Sequence, residues 1–178
     1  MGPGRRSLAL ALLGTIALSA CAIQRPLNTA SSDFSLIGQR APDFSGTDTD
    51  GKPIALRDYG GRPIVINVWA SWCGPCRAEE PGLVRAAHDY MPKGIQFLGI
   101  DVRDNIDQAR IYETEFKVPF RSIFDQASHL GYAYRVDAPP ATIFVDRRGT
   151  IVYVCVGQLN EPDLRGLIKK FLLPTGSA

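Results

Sequence analysis

The chain has 178 residues, 45% of them hydrophobic and 21% charged, which is ordinary for a globular protein with a real core. Lys and Arg total 20 against 18 Asp and Glu; Arg5 and Arg6 are the only charges in the first twenty residues, so the remainder carries 18 of each sign. That near-neutral balance, with no basic stripe and no basic patch interleaved with aromatics, argues against nucleic acid as a partner and against steering by net charge. The four cysteines are Cys21 alone, Cys73 with Cys76, and Cys155 alone. This is too sparse for a disulfide scaffold, and a structural zinc site would need a second ligand pair, so neither metal nor cofactor is expected.

Residues 1–20 read as an export signal. Arg5-Arg6 form the charged start, and Leu8 to Leu18 is an apolar run too short to span a membrane comfortably. Leu18-Ser19-Ala20-Cys21 resembles the lipobox of bacterial lipoproteins, in which the Cys becomes the lipid-bearing N-terminus. Cys21 is therefore the expected lipidation site. Residues 21–36, rich in Ser, Thr, Asn and Pro, read as a flexible tether, and 37–174 as the folded domain.

Within that domain Asp50-Gly51 marks a turn and Lys52 to Leu56 a returning strand, giving a small hairpin ahead of the main sheet. Residues 64–70 and 95–101 are continuous apolar runs, as expected of parallel strands covered on both faces. Residues 73–90 between them read as a helix, with Pro81 expected to kink it, so the unit is βαβ. Asp104 or Asn105 can cap a helix running to about Phe116. Ser122 to Phe124 is a short extended piece, and Ser128 to Tyr134 one or two helical turns. After the Ala138-Pro139-Pro140 turn, Thr142 to Val145 and Ile151 to Val156 pair as strands around Asp146 to Gly149. A last helix follows Asn160, with an apolar stripe at Leu164, Leu167, Ile168, Phe171 and Leu172, and Pro174 is expected to stop it.

The stretch that carries chemistry is Trp72-Cys73-Gly74-Pro75-Cys76, at the end of an apolar strand and the start of a helix. Unpaired N–H groups and the macrodipole at a helix N-terminus favour a thiolate on the first cysteine. The i, i+3 spacing lets the second thiol close a disulfide, and Pro75 suits the first turn, where its missing N–H costs little. A dithiol/disulfide switch is therefore expected, with the thiolate as nucleophile.

These elements in this order resemble the thioredoxin fold, and in particular the TlpA/ResA-like branch of membrane-tethered, extracytoplasmic thiol–disulfide oxidoreductases. The residues carrying the resemblance are Gly38 to Phe44 with Ala41-Pro42-Asp43-Phe44, Asn67 to Glu79 with the Cys-x-x-Cys motif, Pro81, and Pro140 to Asp146 with Gly149. The resemblance spans about residues 37–173 and implies an α/β fold. Its central mixed sheet is flanked by helices, with an N-terminal β-hairpin and a central helical insertion at residues 104–124.

The resemblance also implies roles. Cys73 is the nucleophile and Cys76 the resolving thiol of a redox-active disulfide. Pro140 is the cis-proline facing them, and Trp72, Gly74, Pro75 and Pro139 line the substrate edge. The residue before the cis-proline offers backbone groups to the substrate in this fold; Pro139 has no N–H, so one strand-like bond is expected to be missing. Glu79 stands where the branch carries the acid that tunes the cysteine pair, and Asn67 stands where thioredoxins themselves carry a buried Asp. A half-buried carboxylate near a thiol raises the thiol's pKa and can relay a proton. Glu80, beside it, is expected to be solvated or paired with a surface Arg. Trp69 is expected in the core and Cys155 as a buried, inert thiol, while His88 and His129 lack a matching ligand set.

The implied activity is exchange with cysteine pairs of exported proteins, including apocytochromes c, with a membrane redox partner recycling the site and a lipid anchor holding the protein outside the cytoplasm. An alternative is a Cu(I)-binding chaperone on the same fold, with His129 as the third ligand; such carriers use a wider cysteine spacing. A peroxiredoxin shares the Ala-Pro-Asp-Phe start but needs Pro and Thr upstream of its Cys, where this chain has Ile66 and Ala70.

Overall fold

A computed structural model describes residues 34–173. The signal peptide, Cys21, the tether up to residue 33 and Pro174 lie outside the described residues. In chain order the elements are β1 (Ser45–Thr47), β2 (Pro53–Ala55), β3 (Ile64–Trp69), α1 (Gly74–Tyr90), β4 (Gln96–Val102), α2 (Ile106–Phe116), β5 (Ser122–Asp125), α3 (His129–Ala133), β6 (Ala141–Val145), β7 (Ile151–Val156) and α4 (Glu161–Phe171). Phe34–Leu36 forms a 3-10 turn and Leu36 is buried in the core, so fixed structure reaches into the last residues of the stretch read as tether.

The main sheet has the order β5-β4-β3-β6-β7. Strands β3, β4 and β5 are parallel; β6 and β7 turn the sheet antiparallel. The central strand β3 is buried at all six positions, as its apolar run requires. Successive residues point to opposite faces. Ile64, Ile66 and Val68 meet Leu98, Ile100, Ile143 and the N-terminal segment through Leu36, Phe44 and Ile54. Val65 meets α1 and α4 through Leu83, Ala86, Leu164 and Ile168. The stripe on α4 is thus the one read from the sequence, and Asn160 caps that helix by accepting from the Asp163 N–H at 2.9 Å.

The expected hairpin is β1-β2, an antiparallel pair. Its turn is held by Asp48, whose carboxylate accepts from the N–H groups of Asp50 and Lys52 and pairs with Arg121 at 2.7 Å. The central insertion is more than a helix: α2 returns the chain to β5, which becomes the parallel edge strand of the main sheet. Of the two cap residues offered by the sequence, Asn105 takes the role, accepting from Asp107 and Gln108, while Asp104 turns elsewhere. Helix α1 runs through Pro81 as one element, from Gly74 to Tyr90.

Gly99 on β4 is fixed by its neighbours. A Cβ there would stand 2.2 Å from Ser122 Oγ and 2.7 Å from Trp69 Nε1. Its absence lets the buried indole N–H of Trp69 donate to Ser122 Oγ at 3.3 Å.

Candidate active site

Parallel β3 and β4 end at one edge of the sheet, and the chain leaves β3 through Ala70-Ser71-Trp72 into α1. Cys73 is the N-cap of that helix, with extended backbone, and its sulfur accepts from the Cys76 N–H at 3.2 Å. Cys73 and Cys76 form a disulfide with Cα atoms 5.2 Å apart. Pro75 lies in the first turn, as its lack of an N–H favours. Cys73 is 4% exposed and Cys76 1%, so the nucleophile expected from the sequence is the more open of the two. Around them Trp72, Gly74 and Pro75 are exposed.

The loop before Cys73 is fastened from α2's side. Asp104 accepts from Ser71 Oγ at 2.8 Å and from the Ser71 N–H, and from its neighbour Asn105 N–H at 2.7 Å. The indole N–H of exposed Trp72 donates to the Arg103 carbonyl at 3.1 Å, and Arg103 Nη2 donates to the Asp137 carbonyl at 2.6 Å. Three loops around the cysteines are thereby tied together. Asp101 is fully buried behind them; burial, then the charge of Asp104, pushes its carboxyl up to about 9.

Antiparallel pairing of Val68 with Ala141 carries the start of β6 to the same edge. The Pro139–Pro140 peptide bond is cis, Pro140 is buried and Pro139 partly so. The Pro140 carbonyl accepts from the Gly157 N–H at 2.8 Å. Pro139, without an N–H, offers that edge a carbonyl only.

Below the cysteines one row crosses the whole sheet: Cys155 on β7 opposite Thr142, Thr142 opposite Asn67, Asn67 opposite Gly99, and Gly99 opposite Ser122. Four pairings thus align hydroxyls and an amide in one row, and Glu79 on α1 meets the amide. Asn67 Nδ2 donates to Glu79 Oε1 at 2.9 Å and the Leu159 N–H donates to Oε2 at 2.8 Å. Burial outweighs these two bonds and pushes the Glu79 carboxyl up to about 7. The same row explains Cys155. It is half-buried and free, and burial with the nearby Glu79 charge pushes its thiol up, so it is less enclosed than the sequence suggested and not activated.

Glu80 departs from expectation. It is 2% exposed and pairs with no arginine; Tyr112 Oη donates to its Oε2 at 3.0 Å. The cause is α2, which the insertion lays across this flank of α1. Tyr112 stacks on Trp69 with ring centroids 4.4 Å apart, and both share an apolar cluster with Cys73 and Cys76. Burial, the leading cause, and the charges of Glu79 and Glu113 push Glu80 up to about 8. Nothing in the sequence spacing linked Tyr112 or Asp104 to the motif; both reach it only through the docking of α2. Trp69 is in the core as expected. His88 and His129 are exposed, and among the described residues no three His, Cys, Asp or Glu side chains converge as a metal site, so His129 does not join the thiols.

The AhpC/TSA family pattern matches residues 37–154. The thiol-disulfide oxidoreductase ResA of Bacillus thuringiensis (strain Al Hakam) is 28% identical over 134 residues, covering 75% of this chain and 78% of that protein. A thiol:disulfide interchange protein of the thioredoxin family from Chlorobium tepidum TLS superposes with a TM-score of 0.69 at 26% identity, covering 75% of this chain and 96% of that one. A secreted thiol-disulfide isomerase from Corynebacterium glutamicum gives 0.66 at 26% identity, covering 74% and 83%. The matched stretch includes the Ala-Pro-Asp-Phe start shared with peroxiredoxins, while Ile66 and Ala70 occupy the positions where those need Pro and Thr. The chain belongs to the AhpC/TSA family and, through Cys73 and Cys76, is a thiol–disulfide oxidoreductase of the thioredoxin fold.

Proposed function

We propose that the protein exchanges its Cys73–Cys76 pair with cysteine pairs of exported proteins outside the cytoplasm. The observation that carries this is Cys73 at the N-cap of α1, with its rim of Trp72, Gly74 and Pro75 open to a partner chain. The Cys73 thiolate attacks a substrate disulfide, forming a mixed disulfide and releasing one substrate thiolate. Cys76 then attacks Cys73 Sγ; the Cys73–Cys76 bond forms and the second substrate thiolate leaves. Two electrons pass to the substrate, and the protons of the two protein thiols balance its two new thiols. The reverse sequence oxidises a substrate dithiol, and the reduction potential against the compartment sets the direction.

In this reading Glu79 tunes the pair: ionised above about pH 7 it resists a second negative charge at the sulfurs, and protonated below that pH it has a proton to pass. Pro140 faces the disulfide, and Trp72, Gly74, Pro75 and Pro139 bound the substrate, with one main-chain bond fewer because Pro139 cannot donate. Export rests on the charged and apolar leader, and anchoring on a lipid at Cys21. Among the described residues no helix is long and apolar enough to cross a membrane. A membrane redox partner recycles the site, and apocytochromes c awaiting haem attachment are the substrate class in view.

The test is Cys76→Ala in the native host, which stops resolution and leaves the substrate joined to Cys73. Recovery of an exported protein with a cysteine pair is expected; recovery of no disulfide-linked partner would overturn the reading.

A further inference from the structure

Glu80 stands four residues after Cys76, one turn along the same flank of α1. That flank is closed by α2, whose Ala109 and Tyr112 share a cluster with Trp69, Ala70, Cys73 and Cys76. One oxygen of Glu80 accepts from Tyr112 Oη; the other, Oε1, is sealed from solvent and has no hydrogen-bond partner. Glu79 is held differently, with an N–H donor on each oxygen, an arrangement that favours the charged form. A charged carboxylate with a bare oxygen in an apolar cluster is costly, so Glu80 favours the acid form.

The charged groups around it agree. Glu79 on its own helix and Glu113 on α2 both oppose ionisation, and the Tyr112 phenol is the one group that favours it. Arg77 lies over the Tyr112 and Phe116 rings and is engaged by Glu115. With burial leading, the carboxyl rises to about 8 and carries its proton at neutral pH.

We propose that Glu80 is the proton reservoir for Cys76, supplying the proton that this sulfur takes up when the disulfide opens. The inference rests on the exchange chemistry of the pair. An incoming thiolate attacks Cys73 Sγ; the new S–S bond forms as the Cys73–Cys76 bond breaks, and its electron pair stays on Cys76 Sγ. That thiolate takes the proton from the Glu80 carboxyl. The carboxylate left behind is held by Tyr112 Oη and regains a proton from solvent. In reverse, the Cys76 thiol gives its proton to the Glu80 carboxylate before its sulfur attacks. Glu80 thus acts directly on the Cys76 sulfur, from the α2-facing side of α1 rather than from the sheet side where Glu79 is held.

The full chain in its disulfide form is opened with dithiothreitol across a pH series, and each rate is divided by the reductant's thiolate fraction. The corrected rate is expected to be level at low pH and to fall above about pH 8, as Glu80 loses its proton. Glu80→Gln, which keeps the size and the acceptor for Tyr112, is expected to abolish the fall and lower the plateau at least about tenfold. Tyr112→Phe removes the donor that favours the carboxylate, so the fall moves to higher pH, a shift that loss of packing would not produce. An unchanged profile in Glu80→Gln overturns the inference, as does loss of the fall in Glu79→Gln with its retention in Glu80→Gln. Failure of the unsubstituted disulfide to open would instead break the exchange chemistry itself.

Discussion

Glu79 and Glu80 are neighbours on α1, both buried, and they face unlike surroundings. Glu79 looks down on the polar row of the sheet and is held by Asn67 and by the backbone of Leu159. Glu80 looks sideways into an aromatic cluster and is held by one phenol on an inserted helix. The first acid is fixed by the framework of the fold, and one of its donors is a main-chain group that side-chain truncation leaves in place. The second depends on a single side chain of α2. Two carboxylic acids one residue apart can therefore differ in how tightly the fold sets their charge.

The largest expected effect separates the two flanks directly. Tyr112→Ala removes a fully buried ring and the Glu80 donor together, and is expected to cost about 3–5 kcal/mol in denaturant unfolding. On the other flank Leu159→Ala costs about 2 kcal/mol for lost packing, yet keeps the N–H on Glu79. A carboxyl NMR titration should then show Glu79 unmoved, and a large shift would break the contrast. Asn67→Leu does the reverse: it strips one Glu79 oxygen of its donor, costs about 2 kcal/mol, and raises Glu79 beyond about 7 while leaving Glu80 in place.

The smallest effect is the pH dependence of stability. Both carboxyls ionise near 4.5 when unfolded and at about 7 and about 8 when folded. Below 4.5 both states are protonated and their contribution is fully present. As pH rises the unfolded chain ionises first, so stability is lost until the folded Glu80 itself ionises near 8. Buried Asp101, raised to about 9, acts in the same sense. Melting temperature should fall across this window, and Glu80→Gln should recover about 3 °C or more at pH 8 with little change at pH 4.5. An equal gain at both pH values would show that packing rather than charge is responsible.

The sequence made one of these acids legible and hid the other, for a physical reason. Strand β3, helix α1 and Cys73 follow from local periodicity and capping, and Glu79 from its place in a motif. The row from Cys155 to Ser122 depends on register between strands far apart in the chain, which no local pattern encodes. Glu80 read as solvated because an acid on a helix usually is; only the docking of Tyr112 changes that. Asp104 could be seen as a helix cap but not as the clasp on Ser71, since the two are joined across the sheet edge. The insertion showed its helix clearly, while its four-residue strand β5 was too short to reveal that it forms the sheet's edge.

On the proposed function, Pro139 shortens the stay of a partner. A peptide lying along this edge finds a carbonyl and no donor at that position, so one of its own acceptors keeps its water. A hydrogen bond of about 1 kcal/mol forgone corresponds to roughly fivefold in the dissociation rate. A complex of the proposed kind would then be held mainly by its transient covalent link, with little to retain the product once Cys76 cuts that link. Brief residence of this kind would suit an exchanger of cysteine pairs, as the proposed function has it.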